Sequence, residues 1–321
     1  MEDSISVALC TCEGSFFLSA LLESLAGQSC LPGEVVVCDD ASTDDTAAVF
    51  ERFAPQAPFA VRLVVNDKRL GAVKNFEQAI SLCRGEYIAL CDQDDLWKED
   101  KLELTFAAML EAEENSGKDC PLLVHTDLEV IDAQGSVIAP SFLSMQRLKQ
   151  AARNRGDLKS LLLQNHVTGC TVLMNRALAE AALPFPASVV MHDHWLALNA
   201  AALGRIVYID KTTVLYRQHQ ANVIGASGFY SGRNLKRIFE FDRLKRELAD
   251  VLLQGADLET QLKKSSVGEH QWLERFLRAT EKGGFAAFKA ALQEGVLKQG
   301  FMRNIIYLIM LFIGGYRKYM R

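Results

Sequence analysis

Three carboxylates, Asp92, Asp94 and Asp95, follow the short apolar run Tyr87-Ile88-Ala89-Leu90-Cys91. A run of that length reads as a buried strand. Acids at its exit are how an open α/β sheet presents a metal-assisted site at its carboxyl edge. Asp92 and Asp94 stand two apart, so in extended chain their side chains point the same way. Carboxylates converging on one spot repel unless a proton or cation lies between them. Hard oxygen ligands suit Mg²⁺ or Mn²⁺, ions that keep positions open for phosphate oxygens. The competing reading is a solvated acidic loop anchored by Trp97.

Other acids repeat the arrangement. Asp39 and Asp40 follow Val35-Val36-Val37-Cys38, Asp127 follows Leu122-Leu123-Val124-His125, and Asp193 opens a helix in Met191-His192-Asp193-His194-Trp195. Carboxyl ends of neighbouring parallel strands share one edge, so the first two loops can meet over one crevice. A nucleotide base and ribose offer donors that carboxylates accept from, whereas a diphosphate would be repelled without a divalent ion. Asp193 is the candidate to take a proton from an incoming hydroxyl, and it also reads as a first-turn acid favoured by the helix dipole. The spacing of His192, His194 and His219 with Cys170 is too irregular to build a zinc site.

Strand and helix alternate four times before residue 125. Strands are predicted at 5–10, 34–38, 61–65, 86–91 and 122–125, with helices at about 16–27, to 52, at 72–83 and 98–112. The expected fold is α/β: a mostly parallel central sheet flanked by helices, with a C-terminal helical appendage. The first helix should bury Phe17, Leu18, Leu21, Leu22 and Leu25. Beyond 128 a helix is predicted at 157–164, a strand at 169–174, helices at 176–182 and from 191 to about 203, and two strands at 205–209 and 213–216. A Gly-rich stretch at 225–232 marks the expected boundary between a body (1–228) and a helical region (229–321), with helices at 233–253, 268–279 and 285–298. No Gly-x-Gly-x-x-Gly follows the first strand and no Gly-Lys-Ser/Thr loop occurs, so the common dinucleotide and phosphate-loop fingerprints are unsupported.

Charge divides at the same place. Residues 1–228 hold 18 Lys and Arg against 30 Asp and Glu, and 229–321 hold 17 against 10, so the halves are −12 and +7. The basic third therefore faces either the acidic body or an anionic surface. An acidic body without a Cys/His finger disfavours nucleic acid. All eight cysteines fall within the first 170 residues without a Cys-x-x-Cys pair, which reads as buried thiols in a reducing compartment. The opening Met1-Glu2-Asp3-Ser4 resembles no signal or transit peptide, so the cytoplasm is the expected location. Residues 305–313 are nine apolar or aromatic residues in a row, well short of the roughly 20 that cross a bilayer as a helix. Flanked by Arg317 and Lys318, the segment reads equally as a helix on the inner membrane surface or as a packing or oligomer helix.

Six pieces in order carry a resemblance. They are Val35-Val36-Val37-Cys38-Asp39-Asp40-Ala41-Ser42-Thr43-Asp44, Asn66-x-x-x-Leu70-Gly71-x-x-x-Asn75-Phe76, Ala89-Leu90-Cys91-Asp92-Gln93-Asp94-Asp95-Leu96-Trp97, Thr168-Gly169-Cys170-Thr171, His192-Asp193-His194-Trp195 and Tyr216-Arg217-Gln218-His219. Over about residues 4–225 the chain resembles family 2 glycosyltransferases, inverting enzymes of the GT-A fold, and in particular bacterial rhamnosyltransferases of surface polysaccharide synthesis. The resemblance implies a nucleotide-sugar donor, dTDP-L-rhamnose or next a UDP-hexose, and a glycan or lipid-linked acceptor. It implies that Asp39 touches the base and Asp92 the ribose. Thr11, Glu13, Asn75 and Gln93 belong to the same donor site. Asp94 holds Mg²⁺ or Mn²⁺ under the diphosphate, Asp193 is the general base, and Arg217 and His219 serve the diphosphate and the metal. Relatives often carry an aromatic and an amide where this chain has Cys12 and Glu13, and an aromatic at position 194.

Overall fold

The computed structural model describes residues 4–154, 156–218, 241–265 and 270–320. The chain runs β1 (Ile5–Thr11), α1 (Ser15–Ala26), β2 (Glu34–Asp39), α2 (Thr46–Phe53), β3 (Ala60–Val65), α3 (Ala72–Leu82), β4 (Tyr87–Asp92), β5 (Leu96–Trp97) and α4 (Lys101–Ser116). It continues through β6 (Leu122–Ile131), β7 (Val137–Ala139), α5 (Phe142–Met145), α6 (Lys149–Arg153), α7 (Leu158–Leu163), β8 (Leu173–Asn175), α8 (Arg176–Ala182), α9 (His192–Leu203) and β9 (Arg205–Arg217). The remaining described helices are α10 (Phe241–Ser265), α11 (Gln271–Lys282), α12 (Gly284–Glu294) and α13 (Phe301–Ile313).

The strands form one sheet in the order β3-β2-β1-β4-β8-β6-β9-β5, with β7 on the side of β6. β1 pairs in parallel with β2 and β4, and β2 with β3. Every residue of β1 is buried, as a strand covered on both faces requires. The expectation of a mostly parallel sheet needs correction, because the sheet is mixed. β8 runs antiparallel to both β4 and β6, and β5 and β7 are also antiparallel to their partners. The predicted strand at 169–174 is a 3₁₀ turn at Gly169–Thr171 followed by only three strand residues. So short a strand carries no periodicity from which its direction could be read. The two strands predicted at 205–209 and 213–216 are one, and β6 runs to Ile131 beside it, with register shifts around Asp127.

Apolar clusters cover both faces. One contains α1, α2 and α4 against Val7, Val35 and Ala89; the other contains α3 and α7–α9 against Ala8, Val36 and Leu90. Leu18, Leu21, Leu22 and Leu25 are buried as the helical spacing requires, but Phe17 is not; its ring lies 5.0 Å from the Arg217 guanidinium. The second cluster runs on without a break into the carboxyl-terminal helices through Leu248, Leu252, Phe276 and Tyr307. The expected 228/229 boundary lies outside the described residues, as does the start of the helix predicted at 233. All eight cysteines are free.

Candidate active site

Loops from four elements meet at the carboxyl edge of β1, β2 and β4. Gln93, just past β4, grips Cys12, just past β1: its Oε1 accepts from the Cys12 N–H (2.7 Å) and its Nε2 donates to the Cys12 carbonyl (3.0 Å). Gly14 is required there, since a Cβ at that position would stand 2.2 Å from Gln93 Oε1. The next amides dock on the loop after β2. Glu13 N–H donates to Ser42 Oγ (2.8 Å), Gly14 N–H to Thr46 Oγ1 (3.0 Å) and Ser15 N–H to Asp44 (3.0 Å). Glu13 adopts a left-handed conformation (φ 53°), as does Ala41 (φ 54°), a strained state for residues with a Cβ. The Glu13 carboxylate pairs with Arg69 and accepts from Thr43, so its charge is offset at the rim.

The acids of the β2 loop are buried and satisfied. Asp39 accepts from Thr11 Oγ1 (2.7 Å), Ser42 Oγ (2.6 Å) and Ser42 N–H (2.9 Å). Asp40 accepts from the N–H groups of Leu70 (2.6 Å) and Gly71 (2.9 Å) and from Asn66 (3.2 Å), pinning the 66–71 loop. Asn75, also expected at the donor, is buried with both ends of its amide engaged: Nδ2 donates to the Cys38 carbonyl (2.7 Å) and Oδ1 accepts from Asn66 (2.9 Å). Asp127 sits within β6 rather than at its end, bonded to Ser141 Oγ (2.5 Å), Leu128 N–H (2.8 Å) and Leu143 N–H (3.1 Å). It is a brace for α5, away from the crevice acids.

The β4 acids differ. Burial, then the charges of Asp94 and Asp193, push the Asp92 carboxyl well up from the carboxylate range. Asp193, bonded to the Gly169 N–H next to Cys170, lies within electrostatic reach of Asp92. Asp95 is buried; its Oδ1 accepts from the Arg217 N–H (3.2 Å), while its Oδ2 has no hydrogen-bond partner. Burial, then Asp94 and Asp92, hold the Asp95 carboxyl far above its ordinary range. One ligand atom from each of Asp92, Asp95 and Cys170 lies within 4.8 Å of the others. The Cys170 thiol is pushed up by burial, then by Asp95 and Asp92, so it stays protonated and is a poor ligand. Crowded carboxylates with an orphaned buried oxygen fit a hard divalent cation. His219, the other expected metal residue, lies outside the described residues.

Two cations serve the cluster without entering the crevice. Arg217, expected at the diphosphate, is buried; its Nε donates to the Asp94 carbonyl (3.2 Å) and its Nη1 to the carbonyls of Asp132 (3.4 Å) and Ala133 (3.1 Å). It shapes the loop that presents Asp94 and Asp95. Lys101, which opens α4, is wholly buried with Nζ 3.6 Å from the centre of the Trp97 ring and no hydrogen-bond partner. Burial lowers its pKa to about 8, against the upward pull of Cys91, Cys170 and Asp95. Nothing in the sequence marks Lys101, since a lysine opening an amphipathic helix reads as solvated.

Asp193 is held from two sides. Its Oδ1 accepts from the His194 N–H (2.6 Å) and its Oδ2 from the Gly169 N–H (3.1 Å), in the turn whose Val172 carbonyl accepts from Leu90 of β4 (3.2 Å). A Cβ at Gly169 would come 2.8 Å from His192 Nε2, so only glycine lets α9 approach this closely. His192 stacks on Phe76 (3.7 Å between centroids), and burial lowers its pKa to about 3. Burial raises the Asp193 pKa to about 6, opposed by its backbone hydrogen bonds. His194 is kept neutral by burial; its Nε2 meets the Leu161 carbonyl (2.7 Å) and its Nδ1 meets Gln254 Nε2 of α10 (3.2 Å). Gln254 Oε1 in turn accepts from the Val190 N–H (2.9 Å), a clamp on both sides of Asp193 that the sequence did not disclose. Trp195 is a core anchor, its Nε1 donating to the Ala182 carbonyl (2.9 Å).

Residues 6–120 match the family described as Glycosyl transferase family 2. An uncharacterized protein of Mycobacterium bovis is 30% identical over 206 residues, 63% of this chain and 55% of that one. This chain thus spans about half the length of the first curated relatives it matches. The dTDP-rhamnosyl transferase RfbG of Shigella flexneri is 25% identical over 279 residues, 81% of this chain and 90% of that one. Among solved structures, Staphylococcus aureus TarS 1-349 in complex with UDP-GlcNAc superposes with a TM-score of 0.56 at 18% identity, covering 98% of this chain and 90% of that one. The mannosyltransferase PcManGT of Pyrobaculum calidifontis, in complex with GDP-Man and Mn²⁺, gives 0.54 at 19% identity, covering 100% of this chain and 84% of that one. The fold is GT-A-like, a mixed central sheet with flanking helices and a helical carboxyl-terminal extension.

Proposed function

We propose that this chain is a family 2 glycosyltransferase that transfers a hexose from a UDP-sugar to a glycan or lipid-linked saccharide, with inversion at the reacting carbon. The observation that carries the reading is the anchoring of Asp193 on the Gly169 N–H, one residue before the Cys170 that clusters with Asp92 and Asp95 at the sheet edge. Asp193 is oriented by two backbone N–H bonds, and each of its oxygens keeps a lone pair for an acceptor hydroxyl. A base with a pKa of about 6 is ionised at neutral pH yet takes a proton more readily than an exposed carboxylate. As the acceptor oxygen bonds to the anomeric carbon, its proton passes to Asp193 and the bond to the nucleotide diphosphate breaks on the opposite face. Asp94 and Asp92 would hold Mg²⁺ or Mn²⁺, which supplies charge neutralisation for the departing diphosphate. Asp39 keeps a lone pair on Oδ2 for the base. Thr11, Gln93, Glu13 and Asn75 act by fixing the loops of the donor site, and Arg217 fixes the loop of Asp94.

The UDP-hexose is placed first in line with the UDP-GlcNAc of the similarly folded TarS. dTDP-L-rhamnose stands second, on the Shigella relative. The test is hydrolysis and binding of UDP-hexoses, GDP-mannose and dTDP-L-rhamnose with and without Mg²⁺ or Mn²⁺. Metal-stimulated turnover of a UDP-hexose is expected; turnover of dTDP-L-rhamnose alone moves the assignment to the second reading. Binding without turnover in the presence of any acceptor would leave only a nucleotide-sugar-binding scaffold.

A further inference from the structure

Helix α13 is apolar at every position but Arg303 and Asn304. Tyr307, Met310 and Leu311 face inward and are buried, while Phe301, Met302, Ile309, Phe312 and Ile313 face outward, each between 47 and 80% exposed. At 100° per residue the outward five share an arc of about 120°. α12 continues the surface with Phe285 and Leu292, both exposed. The Phe288 ring bridges the two helices, 6.3 Å from that of Phe285 and 6.2 Å from that of Phe312. A helix burying one side of itself ordinarily carries polar residues on the other, and a contiguous apolar surface of this extent marks a partner.

Charge identifies the partner. Between 284 and 320 the cations are Lys289, Lys298, Arg303, Arg317 and Lys318, and the single acid is Glu294. Arg275 already binds Glu294 through two hydrogen bonds (2.7 and 3.0 Å). Lys289, Arg317 and Lys318 are exposed. A second copy of the chain laid on this face would bring like charges together, whereas an anionic membrane complements both apolar stripe and cationic rim. Among the described residues no helix is long and apolar enough to cross a membrane, and α13 is only about 20 Å long.

We propose that the outward face of α12 and α13 docks on a bilayer of anionic phospholipid, its aromatic and aliphatic side chains entering the headgroup boundary. The surface lies on different residues from the crevice acids and deepens the reading above by supplying a route to a lipid-linked acceptor. The experiment is co-sedimentation of the full chain with phosphatidylcholine vesicles, with and without about a quarter of phosphatidylglycerol. The chain should pellet with the anionic vesicles and be partly released by high salt. Ile309→Asp with Phe312→Asp should cut the bound fraction about tenfold or more, and Lys289→Glu a few-fold, with the thermal melt and the donor hydrolysis unchanged. A chain that stays in the supernatant, or a double variant that pellets equally, overturns the proposal. A wild type that ignores vesicles yet sediments as a dimer, broken by the double variant, assigns the face to a second copy. Pelleting without donor turnover leaves the docking surface standing and removes the transferase reading instead.

Discussion

Two acidic loops stand side by side at one sheet edge and are built on opposite terms. The loop after β2 places Asp39 and Asp40 among hydroxyls and backbone amides that satisfy them. The loop after β4 places Asp92, Asp94 and Asp95 among one another, with Asp193 opposite and one buried oxygen unpartnered. Donors around an acid hold its charge in place, whereas acids crowded on one another build a negative charge that a cation would offset. The motif letters are nearly alike; the surrounding donors and charges separate the two loops.

The largest effect should come from the crowded side. Asp193→Asn should lower kcat by about 10² to 10⁴ with donor affinity retained, and survival of activity within about tenfold would remove the base assignment. Stability should then change in opposite directions in the two loops. Asp40→Ala should cost about 1–3 kcal/mol by stripping Leu70, Gly71 and Asn66 of their acceptor, measured by denaturant unfolding. Asp92→Asn should instead stabilise by about 1–2 kcal/mol near pH 8. The sign follows from linkage: the folded pKa of Asp92 lies above its unfolded value, so its contribution is intact below about pH 4 and is lost as the pH rises through the folded value. The gain should vanish near pH 4, and equal destabilisation by both variants would erase the distinction between the loops. The smallest effect to resolve is in the pH profile. The rising limb of kcat/KM should fall near the Asp193 value of about 6, rather than near the ordinary carboxylate range.

The amino-terminal half was legible because each of its elements announces itself. β1, β2 and β4 are short apolar runs, the last two ending in acids, and α1 repeats leucines at 18, 21, 22 and 25. β9 hid because Asp210 and Lys211 interrupt it as a turn would; in the folded chain they are exposed and skipped in the pairing with β6, between Ile209 and Thr212 of one long strand. Among the site residues, the sequence singled out which side chains gather but not what each does there. Gln93 and Asn75 carry amides suited to a nucleotide and use them on Cys12, Cys38 and Asn66 instead. Such assignments depend on distances between loops about 30 to 80 residues apart in sequence, which no local pattern encodes.

Gln254 gives the carboxyl-terminal helices a second office. With one oxygen it holds Val190 and with its nitrogen it meets His194, so Asp193, the proposed proton acceptor, is slung between two points moored to α10. A small displacement of that helix would therefore be passed to the backbone on both sides of the Asp193 carboxylate.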